Sequence, residues 1–358
     1  MAEKGWKEGI NWRELLEKST TAANAADPLF EKHRKEISTV ARRYPMRINP
    51  YYRSLILAPG DPIWRQAVPD IEELADETGM EDPLSEESQS PVPNLIHRYP
   101  DRVIFLISNR CAMYCRHCMR KRKVGPSGAA TGFSVTDKTV REGLDYIRRT
   151  GEVRDVILSG GDPLLRSDAF LADLLGRLKG IPHVETVRIH SRVPATLPQR
   201  ITPSLVGILA KSPPLYLNTH FNHPRELTPE AADACAALAN AGIPLGCQSV
   251  LLKGVNDDPA TMASLMRGLV RIRVKPYYLH HPDLVRGTGH LRCSIACGLS
   301  IMKSLRGHVS GMCVPQYMID LPGGGGKVPL IPEYIKAARG GMLSVENHEG
   351  RIFEYPLD

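Results

Sequence analysis

The sequence predicts an α/β protein whose parallel strands curl into an incomplete (β/α)6 barrel, with a helical region before it and a shorter segment after it. Three observations predict that architecture. Apolar, β-branched runs recur at a spacing of about 30 residues, the length of one strand–helix unit, over 103–108, 153–159, 184–190, 215–219, 245–251 and 274–280. Amphipathic helical stretches fall between them at 137–149, 168–179, 229–240 and 259–273. The uncommon polar residues come within or directly after the strands, as in βα barrels, where the strand C-termini build one shared pocket. Periodicity alone leaves a doubly wound sheet open, and the polar clustering favours the barrel.

The first 80 or so residues read as helical and rich in Glu, Lys and Arg, and the acidic stretch 81–93, with its Pro and Ser, reads as a connector. Three regions are therefore expected: a helical region and connector over 1–95, the barrel over 96–311, and a C-terminal segment over 312–358. Residues 1–12 alternate charged and polar types with no apolar core of signal-peptide length, and no stretch approaches a membrane span, so a cytoplasmic location is expected. The net charge of +7 on 358 residues admits nucleic acid, a membrane surface, or an enzyme that handles carboxylates and phosphates. Without an aromatic-interleaved basic stretch, neither nucleic acid nor membrane is the expected partner.

Of eight cysteines, Cys235, Cys247, Cys293, Cys297 and Cys313 are scattered through apolar surroundings and read as core packing, whereas three crowd into 111–118. Cys111-x3-Cys115-x2-Cys118 supplies three thiolates immediately after the first strand. Iron–sulfur clusters are held by thiolates, and three of them leave one iron of a [4Fe–4S] cube open to chelate the amino and carboxylate groups of S-adenosylmethionine (SAM). A structural zinc ion wants four ligands, usually from two C-x2-C pairs, and no second such pair is present. The spacing resembles that of the radical SAM superfamily. Ser159-Gly160-Gly161-Asp162, at the end of the next strand, resembles the turn that receives the SAM amino group there.

Asp320-Leu-Pro-Gly323-Gly-Gly-Gly326-Lys327 is the second unusual segment. It is not a P-loop, because Leu321 stands where the first glycine should and Val328 follows the lysine. Four glycines allow close approach to a bulky cofactor, and a lysine in a dry pocket suits Schiff-base chemistry, which makes Lys327 a candidate anchor for pyridoxal phosphate (PLP). A surface loop ending in a solvated lysine is the alternative.

With His97-Arg-Tyr-Pro-Asp-Arg102, Cys111-Ala-Met-Tyr-Cys-Arg-His-Cys118, Leu158-Ser-Gly-Gly-Asp162, Asn218-Thr-His-Phe-Asn-His223 and the run 322–327, the chain from residue 12 to about 355 resembles the lysine 2,3-aminomutase family. The resemblance implies a radical SAM, PLP-dependent isomerase that interconverts L-lysine and β-lysine. It implies that Lys327 holds PLP, that Arg98 and Arg102 contact its phosphate, and that Cys111, Cys115 and Cys118 hold the cluster. It further implies that Ser159, Gly160, Gly161, Asp162, His220 and Gln248 contact the cofactors. Arg120 would grip the substrate carboxylate, chemistry suited to a rigid bidentate fork. Asp283 and Asp320 would receive the ε-ammonium, because an acidic end opposite an arginine end measures out an amino acid with a cationic side chain. Lys121, Arg122 and Lys123 read as a solvated basic face, and His280, His281 and His290 as polar loop residues near a cofactor. An electron donor such as flavodoxin or ferredoxin and a homo-oligomer, dimer or larger, are also expected. No cysteine follows Cys313, so the intersubunit zinc site of longer family members is not. Arginine as substrate, or lysine aminomutation serving translation-factor modification, remain alternatives within the family. A radical SAM enzyme acting on RNA is the alternative of another class.

Overall fold

The computed structural model describes residues 11–22, 27–125, 132–212 and 214–357; the first ten residues, with most of the 1–12 stretch, lie outside the described residues. Nine strands form one sheet in chain order: β1 Leu95–Tyr99, β2 Arg102–Ser108, β3 Asp155–Gly160, β4 Thr186–His190, β5 Leu215–Thr219, β6 Leu245–Val250, β7 Lys275–His280, β8 Gln316–Leu321 and β9 Gly326–Pro329. Strands β2 to β8 pair in parallel, and β1 and β9 close the two edges as antiparallel partners of β2 and β8. All six expected runs are strands, β2 to β7. A seventh parallel strand, β8, follows the helix Ile295–Leu305.

Alternation along the strands divides the barrel into two environments. Val103, Phe105 and Ile107 of β2, Val156 and Leu158 of β3, Val187 and Ile189 of β4, and Leu215 and Leu217 of β5 pack outward with helix residues such as Leu144, Leu171, Leu205 and Leu238 in the main core. Ser159, Arg188, His190 and Asn218 therefore face inward. The helices between the strands start on capping residues whose side chains accept from the first turn: Thr136, Ser167, Thr228 and Asp258. The helix expected over 259–273 stops at Arg271, because Arg273 takes a positive φ of 61° and turns the chain into β7.

The N-terminal helices are short: Trp12–Glu17, Pro28–Glu31, Arg34–Ala41, Pro50–Ser54, Trp64–Ala67 and Glu72–Ala75. Phe30, Ile37, Ile48, Tyr52, Ile63 and Trp64 form their own core, which also takes in Met113 from the cysteine loop. Backbone bonds continue the contact, from Tyr114 N to Arg47 O at 3.0 Å and from Arg116 N to Gln66 O at 2.8 Å. At the other end of the chain, β10 Ile335–Arg339, β11 Met342–Glu346 and β12 Ile352–Pro356 form a separate antiparallel sheet. No helix among the described residues is long and apolar enough to cross a membrane.

Candidate active site

Cys111, Cys115 and Cys118 lie on the loop after β2 and line one small cavity together with Tyr44, Pro45, Met113 and Tyr114. Burial pushes the Cys118 thiol up to about 11 and raises that of Cys111 as well; a coordinating metal deprotonates such thiols outright. Among the described residues no three His, Cys, Asp or Glu side chains gather as ligands of a single ion. A cube takes each thiolate on a different iron, so three cysteines spread around one cavity fit it.

The cysteine loop is braced by buried polar groups. Arg192, after β4, donates from Nη1 to Cys115 Sγ at 2.8 Å and from Nη2 to Gln66 Oε1 at 2.5 Å and Glu226 Oε1 at 2.7 Å. Tyr52 donates to the same Glu226 oxygen at 2.8 Å. His117 Nε2 accepts from Asn222 Nδ2 at 3.3 Å, an amide that also donates to Gln66 at 3.0 Å. That tautomer leaves the proton on His117 Nδ1, which is buried without a hydrogen-bond partner among the described residues, a donor available to a bound group.

The glycine turn after β3 packs directly on this loop. Gly161 N donates to Ser108 O at 2.6 Å and Asp162 N to Arg110 O at 2.7 Å. A Cβ at Gly160 would lie 2.3 Å from Ser108 O, and one at Gly161 would lie 2.6 Å from Arg110 O, so neither position admits a side chain. The Asp162 carboxylate accepts from Ser191 Oγ at 2.7 Å and from the backbone of Arg192 at 2.8 Å and Leu164 at 3.1 Å. It joins the loops after β3 and β4, and burial pushes it up to about 6.

At the last strand of the sheet, Lys327 of β9 is the cross-strand partner of Asp320 of β8, and its ammonium donates to Asp320 Oδ2. Asp320 Oδ1 has no hydrogen-bond partner among the described residues and stands 3.6 Å from Arg98 Nη1; Oδ2 is 3.7 Å from His280 Nδ1. The Lys327 amide donates to Tyr99 Oη at 2.8 Å, and Arg102 lies over the Tyr99 ring at 4.9 Å. Arg98 is held by Gln89 Oε1 at 2.7 Å and Leu84 O at 2.9 Å, whereas Arg102 is two-fifths exposed and bonded to Asp101. The Asp283 carboxyl is pushed up to about 7, by desolvation first and then by the charge of Asp320. His190, His220 and His280 are pushed down by burial, His220 to about 4, so three neutral imidazoles line the space toward Lys327 and Arg120.

Arg120 is buried and bonded to Glu86, from Nη2 at 2.7 Å and Nε at 3.0 Å, while Nη1 donates to Ser159 Oγ at 3.3 Å. Lys121, Arg122 and Lys123 are not a solvated face. Lys121 is bonded to Glu73 and Gly287 O and is pushed down to about 8 by burial; Arg122 reaches Asp82 at 2.8 Å and Lys123 reaches Glu86 at 3.4 Å. The counterions come from the N-terminal region and connector, where acidic residues at 73, 82, 86 and 87 were the legible sign. Glu86, Glu73, Gln66, Tyr52, Glu226 and His190 are the site residues that strand-end reading does not single out, whereas Arg192, directly after the third expected strand, is one that it does.

Residues 105–266 match the family model described as the radical SAM superfamily, and residues 302–357 match the one described as lysine-2,3-aminomutase. The chain is 49% identical over 331 residues to the L-lysine 2,3-aminomutase of Clostridium subterminale, covering 92% of this chain and 79% of that protein. The chain belongs to the lysine 2,3-aminomutase family. It is also similar to the L-lysine 2,3-aminomutase of Methanococcus maripaludis, 49% identical with 91% and 75% covered, and to the glutamate 2,3-aminomutase of Clostridioides difficile, 43% identical with 91% and 77% covered. Radical SAM membership brings with it a [4Fe–4S] cluster and SAM.

Proposed function

We propose that the protein moves the amino group of L-lysine from Cα to Cβ, with PLP on Lys327 and the cluster held by Cys111, Cys115 and Cys118. The observation that carries this reading is the polarity of the pocket: a buried Arg120 guanidinium on one side, the carboxylates of Asp283 and Asp320 beside Lys327 on the other. Bound together, the cluster and SAM supply hydrogen-atom abstraction and PLP supplies the carbonyl chemistry that carries the migrating nitrogen.

The residues orient and enclose. Arg120 holds the substrate carboxylate, and Asp283 and Asp320 hold its ε-ammonium, so that the reacting carbons lie between fixed ends. Arg98 and Arg102 supply positive charge for a phosphate beside Tyr99 and Lys327. Gly160 and Gly161 let the turn after β3 pack on the cysteine loop, His220 and Gln248 face SAM, and the neutral histidines add no competing cation. On this reading 1–95 brace the cysteine loop, and the barrel, expected over 96–311, runs on through β8 and β9 to Pro329, so that the lysine sits on its last strand. A one-electron donor such as flavodoxin or ferredoxin reduces the cluster.

The glutamate enzyme among the relatives raises a second reading. Glutamate would bring a third carboxylate against Asp283 and Asp320, a like-charge contact that disfavours it; arginine meets no such objection. The test is to reconstitute the protein anaerobically, supply a reductant and SAM, and offer L-lysine, L-arginine and L-glutamate in parallel. β-Lysine is the expected major product, and a preference for either other substrate overturns the lysine assignment.

A further inference from the structure

Glu86 belongs to the connector, yet its side chain is 2% exposed and lies among three cations, Arg120, Arg122 and Lys123. Ser85 just before it adopts a positive φ of 52°, unusual for a residue with a side chain, and this turn aims Glu86 inward. Burial raises its carboxyl, but the neighbouring Arg120 above all holds it down at about 2, so it is charged at any pH the protein meets.

A guanidinium has five N–H bonds. Glu86 engages the Nε and Nη2 edge, and Ser159 accepts from Nη1. Two N–H bonds are left, one on each terminal nitrogen, the pair of nitrogens from which an end-on fork meets a carboxylate. We infer that Glu86 is a positioning residue for substrate recognition: it clamps one edge of Arg120 so that the end-on fork faces the substrate carboxylate, and thereby sets the preference for free amino acids over substrates that lack that group. This inference rests on the carboxylate-binding role proposed for Arg120.

The experiment compares L-lysine with L-lysinamide, which has the same side chain and amino group and no carboxylate. Binding to PLP-loaded, anaerobic protein is measured by equilibrium dialysis, with KM and kcat for lysine alongside, for wild type, Arg120→Lys, Glu86→Gln and Glu86→Asp. Iron content and melting temperature report integrity. Glu86→Gln is expected to weaken lysine on the order of tenfold or more, the worth of a charge-assisted hydrogen bond, to leave lysinamide unchanged, and to alter kcat little. Glu86→Asp, which keeps the charge but shortens the reach, is expected to move the same ratio by less, and it carries the test should the glutamine variant lose its cluster. An unchanged lysine-to-lysinamide ratio in whichever of these variants retains its iron, or equal weakening of both ligands, overturns the role of Glu86. If wild type shows no distinction between the two ligands, or Arg120→Lys keeps the whole of it, the fault lies with the role of Arg120 instead.

Discussion

Asp320 and Lys327 face each other across the β8–β9 hairpin, and the lysine ammonium is bonded to the aspartate carboxylate. On the proposed function, one carboxylate would serve two cations in turn, the protein's own lysine and the side chain of the substrate. To hold PLP, Lys327 would have to give up its bond to Asp320. Borohydride reduction of PLP-treated protein is expected to fix the cofactor on Lys327, in wild type and in Asp320→Asn alike. In the variant, lysine binding is expected to fall by about 2–5 kcal/mol, the cost of a desolvated cation without its partner. Peptide mapping and dialysis check both; a label on another lysine, or undiminished lysine binding, is the contrary result.

Asp283 makes lysine recognition depend on pH. Its carboxyl is neutral below about 7 and charged above, while a lysine ammonium with a pKa of about 10.4 stays charged throughout. KM for lysine is therefore expected to fall as pH rises through about 7, and Asp283→Asn to flatten that step. Its contribution to folding runs the other way: a carboxyl raised from its ordinary 3.8 stabilises the fold at low pH, and that contribution is lost as pH rises through about 7. A KM profile in wild type that is already flat between about pH 6 and 8 counts against Asp283 as a partner of the ammonium.

Anaerobically prepared protein is expected to carry about four irons per chain. Alanine at Cys111, Cys115 or Cys118 should remove them, whereas alanine at Cys235 or Cys297 should not. Iron assay and the visible spectrum decide it; full iron in any of the first three variants contradicts the assignment.

Glu73 holds two buried cations, Arg116 Nη2 at 2.6 Å and Lys121 Nζ at 2.7 Å, with every side chain involved at most 7% exposed. Glu73→Gln leaves both uncompensated and is expected to cost about 3–5 kcal/mol of stability. Burial raises the Glu73 carboxyl, but Arg116 and then Lys121 more than offset this and hold it below 4.5. Its contribution is therefore present above pH 4.5 and lost as pH falls through its folded value. Urea unfolding of wild type and variant at pH 7 and below tests both statements.

The barrel was legible because each parallel strand buries one face under helices and so carries a β-branched run, and because Thr228-Pro229 and Asp258-Pro259 mark helix starts by capping chemistry. Residues at the strand ends came with the strands. β8 lies outside the six runs that the sequence pattern marks. The partners of the site escaped that pattern: Glu86 and Glu73 lie 34 and 48 residues before Arg120 and Lys121, in a region of short helices whose pattern gives no phase. A run of cations looks solvated until the distant anions that neutralise it are known.

The glycine turn has a further consequence, for the phase of the chain. Gly323, Gly324 and Gly326 all take positive φ, at 69°, 84° and 87°, and so set the tight return from β8 to β9. Successive side chains on a strand point to opposite faces, so a return longer or shorter by one residue would invert β9, turning Lys327 away from Asp320 and Val328 toward it. The segment is thus constrained in length as strictly as in composition: deleting a single glycine silences the lysine without altering it, while a change of two residues restores its direction.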